Sequence, residues 1–225
     1  MKKLFLLAVM ALMGSVALNA QNEGDMTMSQ LKQVVKERKE LAKMSKKAIE
    51  SKVLKDAKKQ AKTLKKEGWK PAVGTLPIEK QLTDFYLRRA EPSIGLPKYL
   101  LSQNQSTSTS YTTARKAAEM RARVGLGTMM GAEVSELAED SGNDVGMGPG
   151  DQEAVRKFVD ESKQLMQQSI GRTEVIIDMY REINGRTDVW VGLSYDGKRA
   201  RADILKAFEN ESAELKGKLS KLLGE

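Results

Sequence analysis

Hydrophobic and polar positions change rhythm several times along this chain. From Met28 to about Glu67, the apolar residues Leu31, Val35, Ala42, Ile49, Val53, Ala57, Ala61 and Leu64 fall on one drifting stripe, with lysines between them. That spacing predicts a long amphipathic helix. No Gly or Pro interrupts it, and Gly68 stands where a glycine just past the last turn ends a helix. The stripe is narrow and poor in large residues, which suits a helix lying along a partner better than one sunk in a core.

The next stretch, Trp69 to Pro97, holds four of the five prolines. Pro71 and Pro77 bracket an extended segment, because the residue before a proline is pushed toward β geometry. Pro77 can then open a short helix through Ile78, Leu82, Phe85, Tyr86 and Arg89. Ser102 to Tyr111, SQNQSTSTSY, is polar and of low complexity, and reads as a linker. Thr112 or Thr113 can cap a helix from Ala114 to about Glu139. That helix is rich in small residues, and Gly125 and Gly127 each cost about 1 kcal/mol against Ala, so they mark the place for a kink or break. Asp140 to Gly150 is a Gly-rich loop, and Asp151 can cap a helix over Gln152 to Ile170. The chain closes with a helix from about Arg199 to Leu223, with Ile204, Leu205, Phe208, Leu215, Leu219 and Leu222 on its apolar face.

Between the last two helices lies the one clear β signal, RTEVIIDMYREINGRTDVWVGLSYDG from Arg172 to Gly197. Val175, Ile177 and Met179 alternate with more polar residues, and so do Val189, Val191 and Leu193, around the turn signal Asn184-Gly185. A two-residue Asn-Gly turn would put the two apolar sets on opposite faces. A three-residue loop, Ile183-Asn184-Gly185, puts Met179 opposite Val189, Ile177 opposite Val191 and Glu182 beside Arg186, all apolar residues facing one way. That register is expected. The fold class is therefore α+β: an antiparallel sheet built on a β-hairpin, helices packed on one face, and a long basic N-terminal helix in front. A further strand is placed near Lys70 to Leu76 or around Met147.

Charge sharpens this division. The formal charge is +8, and Gln30 to Lys70 holds 15 Lys/Arg against 5 Asp/Glu. The chain is thus a basic arm on a mildly acidic body. At the start, Lys2 and Lys3 precede nine uncharged, mostly apolar residues, Leu4 to Leu12, and small residues lead to Ala20. This predicts a secretory signal peptide cleaved before Gln21, too short for a spanning helix of roughly 20 apolar residues. The expected organisation is residues 1–20 signal peptide, 21–67 basic helical arm, 68–111 Pro-containing connector with a short helix and polar linker, and 112–225 α+β body.

Cys and His are both absent. Their absence removes thiol chemistry, the Ser-His-Asp triad, imidazole acid–base work and the usual zinc ligands, and leaves a lipoprotein-type lipid without an acceptor cysteine. An enzyme would depend on carboxylates, Lys, Tyr or Ser. The run from Gly125 to Gly131 has the spacing G-x-G-x-x-x-G, with no preceding strand and no following Lys-Ser/Thr, so close helix packing explains it better than phosphate binding. Asp140, Asn143, Asp144 and Asp151 could offer oxygens to calcium but do not follow the EF-hand series, so a solvated loop is expected. No metal and no cofactor are called for.

The Ala-rich helix TTARKAAEMRARVGL, a Gly-rich loop, a second helix, then EVIIDMYRE, a turn and DVWVGLSYD resemble the small bacterial surface lipoproteins, whose domain is shared with the N-terminal domain of a flagellar assembly protein. The resemblance covers roughly Gly68 to Leu223. It implies a small α+β domain of the cell envelope without known catalysis and transfers no functional residue. This chain departs from the family in lacking the lipid-bearing cysteine.

The expectation is thus an exported, non-catalytic cell-envelope protein with a binding or structural role, periplasmic, outer-membrane-associated or extracellular. Its partner-binding residues are Lys36, Lys39, Lys43, Lys47, Lys55, Lys58, Lys59 and Lys62, facing an anionic surface or an envelope or protein partner. Nucleic acid is not expected, because no aromatics interleave the lysines. Alternatives are an oligomerising scaffold that pairs copies through the N-terminal helix and a carboxylate-dependent hydrolase. The outer face near Tyr180 and Trp190 is a further candidate surface.

Overall fold

The computed structural model describes residues 45–91, 96–141, 146–151, 153–155, 157, 173–207 and 213–223. The expected signal peptide, the first half of the basic arm, residues 142–145 of the Asp140 to Gly150 loop and most of the Gln152 to Ile170 helix lie outside them. The described elements are α1 (Lys46–Lys66), β1 (Lys70–Pro71), α2 (Ile78–Ala90), β2 (Tyr99–Ser108), α3 (Tyr111–Ser141), β3 (Glu174–Ile183), β4 (Arg186–Asp196), α4 (Gly197–Ala207) and α5 (Ala213–Leu222). The four strands form one antiparallel sheet in the order β1-β3-β4-β2. The class is α+β.

The start and stop of α1 follow its sequence. Ser45 caps it, accepting from the Ala48 amide on both its side chain and its carbonyl. At the other end Gly68 sits at φ +87°, its N–H donates to the Lys65 carbonyl, and Trp69 N–H donates to the Leu64 carbonyl. These two bonds form a Schellman motif, with Leu64 and Trp69 buried together as its apolar contact. The stripe Ile49, Val53, Ala57, Ala61 and Leu64 is buried. Its partner is this chain's own α2, through Ile78, Leu82, Phe85 and Tyr86, together with Trp69 and the sheet residues Ile177, Met179 and Trp190. Lys46–Lys66 therefore packs into the same unit as the sheet and does not stand off as an arm.

The expected hairpin register is corrected. The turn is the two-residue one, Asn184 at φ 53° and Gly185 at φ 72°, closing Ile183 onto Arg186. Positive φ at both positions is the type I′ turn whose twist suits paired strands. Met179 pairs with Trp190, Tyr180 with Val189 and Glu182 with Thr187, so Glu182 does not sit beside Arg186. Except for Val175, which pairs with Leu193 ahead of a bulge, the two apolar sets do lie on opposite faces, and the reason they can is a second correction: helices cover both faces. Val189, Val191, Leu193 and Tyr195 pack with α3, α4 and α5, whereas Ile177, Met179 and Trp190 pack with α1 and α2. A bulge between Val175 and Ile177 turns both Ile176 and Ile177 to the second side.

The polar stretch expected as a linker is instead the strand β2, paired to β4 from Tyr99–Asp196 to Ser108–Thr187. As the last strand in the order it tolerates polar side chains, and Thr107 donates to Asp188 across the pair at 2.7 Å. The following helix, α3, starts at Tyr111, with Ala114 N–H bonded to the Ser110 carbonyl, so neither Thr112 nor Thr113 is its cap. It runs unbroken through Gly125 and Gly127. Gly125 is there for closeness: a Cβ would collide with the Ser102 hydroxyl of β2. β1 supplies the further strand near Lys70, while Met147 is buried outside any strand. The closing helix is described as two pieces, α4 and α5.

Candidate functional site

The outward side of α1 carries the densest charge of the described residues. Its 21 residues contain nine lysines against Glu50 and Asp56. At about 100° per residue, Lys55, Lys58, Lys59, Lys62 and Lys66 lie one above another on the side opposite Ile49, Val53, Ala57, Ala61 and Leu64. From Lys55 to Lys66 this row is about 17 Å long at about 1.5 Å per residue. Of the expected site residues, Lys47, Lys55, Lys58, Lys59 and Lys62 are exposed on α1. Lys36, Lys39 and Lys43 lie outside the described residues. Leu54, 53% exposed, sits one turn before Lys58 at the margin of the lysine face.

What holds this face in place is the pairing of α1 with α2. The buried Tyr86 hydroxyl donates to the Gln60 side-chain oxygen. Burial pushes its phenol up to about 12; Arg89 pulls it down and Asp56 pushes it up. Gln60 lies six residues before the end of α1 and Tyr86 eight residues after the start of α2, the matching distances from the loop of two helices that run back alongside each other. The connection between them, residues 67–77, therefore lies at the end where Lys65 and Lys66 are.

That connection is built tightly. Thr75 N–H donates to the Ala72 carbonyl at 3.1 Å and Gly74 sits at φ +80°, the pattern of a type II turn. Beneath it, Gln81 of α2 is 3% exposed. Its side-chain oxygen accepts from the Asp178 amide at 2.8 Å. Its side-chain nitrogen donates to the Leu76 carbonyl at 2.5 Å, Thr75 Oγ1 at 3.0 Å and the Asp178 carbonyl at 3.3 Å. The turn displays Val73, 98% exposed, and Leu76, 60% exposed. Sequence reasoning saw only an extended segment between Pro71 and Pro77. The available signal was two apolar residues, in A-V-G-T-L-P, that belong to no amphipathic period.

A second polar cluster braces α3 against the sheet. Buried Asp178 of β3 accepts from Arg115 Nε at 2.7 Å and from the Tyr111 hydroxyl at 3.3 Å. Glu119 accepts from Arg115 at 3.2 Å and from Arg123 at 2.7 Å. The hydrogen bond to Asp178 raises the Arg115 pKa, and burial, reinforced by Asp178, raises that of Tyr111. Arg115 thus stays charged and Tyr111 stays neutral; Tyr111 spends its donor on Asp178, and Arg115 divides its donors between Asp178 and Glu119. Tyr111 also packs edge-on against Tyr180 at 5.5 Å.

The candidate face near Tyr180 and Trp190 is not a surface. Trp190 is buried edge-on against Trp69 at 5.9 Å, and Tyr180 packs on the opposite side of the sheet. Asp151 takes the Gly148 amide at 2.9 Å and Lys218 at 3.0 Å, which hold its carboxyl below the usual range. Among the described residues, no group of three acidic side chains is placed to hold a metal ion.

Fold and surface together define an α+β protein whose sheet is sandwiched between helices and whose outermost helix is paired inward and lysine-faced outward. Comparison with protein families, with curated proteins and with solved structures finds no match.

Proposed function

We propose that this chain is an exported, non-catalytic protein of the cell envelope, related to the small surface lipoproteins it resembles, and that α1 contacts an anionic surface or partner. One observation carries the reading. The apolar side of α1 is committed to α2 within the same chain, while the lysines stand on the opposite side of a supported helix. A helix fixed in this way presents its charges at fixed spacing, without the cost of ordering a loose arm on contact. Export rests on the pattern of residues 1–20. Pairing of copies along the apolar stripe has lost Ile49, Val53, Ala57, Ala61 and Leu64 to the chain's own core. No described helix is long and apolar enough to cross a membrane, so contact would be made from the side.

The test is binding of the purified protein to vesicles with and without anionic lipid, and to a soluble polyanion. Each lysine at an anionic surface contributes about 1 kcal/mol. Changing Lys47, Lys55, Lys58 and Lys62 to Gln should weaken binding on the order of hundredfold or more. The thermal midpoint should not move, because all four are exposed. Unchanged binding in the quadruple variant, or binding insensitive to salt, would remove the proposal.

A further inference from the structure

We infer that the surface met by α1 is an anionic lipid bilayer, and that the loop bearing Val73 and Leu76 inserts into its interface as an apolar anchor. The inference rests on the lysine-face reading above and adds the class of partner to it.

Three observations lead there. First, Val73 and Leu76 are the two most exposed large aliphatics of the α1–α2 connection, at 98% and 60%. They project from a turn, which is convex. A protein partner would need a pocket shaped to receive them, whereas a bilayer interface does not.

Second, the loop is pre-organised. A buried glutamine and a threonine hydroxyl bond its backbone from beneath. Thr75 Oγ1 donates to the Ala72 carbonyl at 2.8 Å, and Gln81 bonds the Leu76 carbonyl. The Ala72 and Leu76 carbonyls and the Thr75 amide, polar groups that would resist entry into an apolar interface, are thereby occupied within the chain.

Third, the charges around it have the sign that anionic headgroups require. Lys65 and Lys66 end α1, and Lys70 and Lys80 flank the loop; all four are exposed. Of the acids nearby, Glu67 lies within 3.8 Å of Arg181 and Glu79 is only half-exposed. Apolar tips flanked along the chain by exposed lysines are matched by a surface with negative charge outside and hydrocarbon beneath.

Because the chain contains no cysteine, a single introduced one can carry an environment-sensitive fluorophore. The label is placed at Val73→Cys and, as control, at Thr109→Cys, an exposed position just past β2 at the other edge of the sheet. On vesicles containing phosphatidylglycerol, the label at 73 should shift to the blue and lose access to an aqueous quencher. The label at 109 should do neither, and phosphatidylcholine vesicles should produce neither change. Replacing Val73 and Leu76 together by Ser should weaken binding to the anionic vesicles by about tenfold or more, with the thermal midpoint kept. A label at 73 that stays in water on vesicle-bound protein, with the double Ser variant binding as tightly as the parent, overturns the anchor and leaves the lysine contact standing. Binding to a soluble polyanion but not to anionic vesicles also overturns it, in favour of a soluble acidic partner. Binding to neither removes both the anchor and the lysine contact on which it rests.

Discussion

Gln81 is the residue whose replacement should say most about how this molecule holds its outer helices. Its amide acts in the place of a strand residue. β1 offers only two residues to β3, and beyond them the Asp178 amide finds its acceptor on Gln81. The Asp178 carbonyl has a second donor in the Ala72 amide at 3.0 Å, and the Leu76 carbonyl belongs to an exposed residue that water can reach. The energetic loss on removing Gln81 therefore concentrates on one buried N–H. Leaving such a donor without an acceptor costs about 1–3 kcal/mol. Gln81→Met keeps the volume and the unbranched shape, so it isolates that term, while Gln81→Ala adds a cavity.

Gln81→Glu separates shape from polarity. Its carboxylate still accepts from the Asp178 amide but turns its other oxygen on the Leu76 and Asp178 carbonyls, which cannot donate. Protonated, it regains a donor and mimics the amide. Burial and these carbonyls favour the neutral acid in the folded state, so its folded pKa lies above the unfolded value of about 4.3. Between those values the folded state binds more protons, so stability falls as pH rises. Urea unfolding followed by tryptophan fluorescence suits the test, because Trp69 and Trp190 are both buried in the cluster Gln81 borders. The expected order at pH 7 is parent, then Met, then Ala, and the Glu variant should approach the parent only at about pH 4. A Met variant within about 0.5 kcal/mol of the parent, a typical size for a surface change, or a Glu variant whose deficit is flat with pH, would refute the account.

Two glycines should respond to alanine with opposite sign. At Gly197 a Cβ would overlap the Pro97 carbonyl and lie 3.0 Å from the Lys98 carbonyl, which accepts the Gly197 N–H; because backbone must move, Gly197→Ala should cost about 1–3 kcal/mol. At Gly217, within α5, nothing lies within 4 Å, so Gly217→Ala should stabilise by about 0.5–1 kcal/mol; urea midpoints that move the same way for both would contradict the packing of α4 on the start of β2. The Arg88 guanidinium grips both oxygens of Glu174, at 2.5 and 2.9 Å, and holds its carboxyl below the usual range. The stabilisation is then complete above the unfolded pKa and fades as pH falls through the folded one. With the Glu174 side chain 61% exposed, Glu174→Gln should cost less than about 1 kcal/mol at pH 7, and the gap should close as pH falls through the depressed folded pKa; a gap that persists in acid below it would mean the pair is not what the change removed.

Where the sequence spoke clearly, local chemistry decided the structure. The Schellman end at Gly68, the proline-opened α2 and the Asn184-Gly185 turn all depend on residues within a few positions of one another. The hairpin register failed for a non-local reason. Rejecting the two-residue turn assumed one covered face, and nothing within Arg172 to Gly197 reports that α1 and α2 cover the other. β2 failed similarly. Gln103, Asn104, Gln105 and Ser106 carry no apolar alternation, yet their backbones pair with β4 along its length. Leu100 and Leu101, which face opposite core clusters, were its only apolar signal.

The lysines of the candidate site were legible one by one, but the status of the helix that carries them was not. A stripe containing Ala57 and Ala61 looks too weak for a core. Read together with α2 it is complementary, because both alanines are fully or almost fully buried in the cluster that holds Phe85 and Tyr86. Small residues on one helix leave room for aromatics on the other, and the buried area is supplied by the partner. The same logic explains why Val73 and Leu76 do not stand out in the sequence. An apolar residue is ordinarily assigned to the nearest core, and only the bonds Gln81 makes beneath the turn show that these two are held away from one. A rigid support under exposed apolar side chains works against the burial that the hydrophobic effect would otherwise drive. That opposition between support and exposure is the physical reason to look for what the loop meets outside the chain.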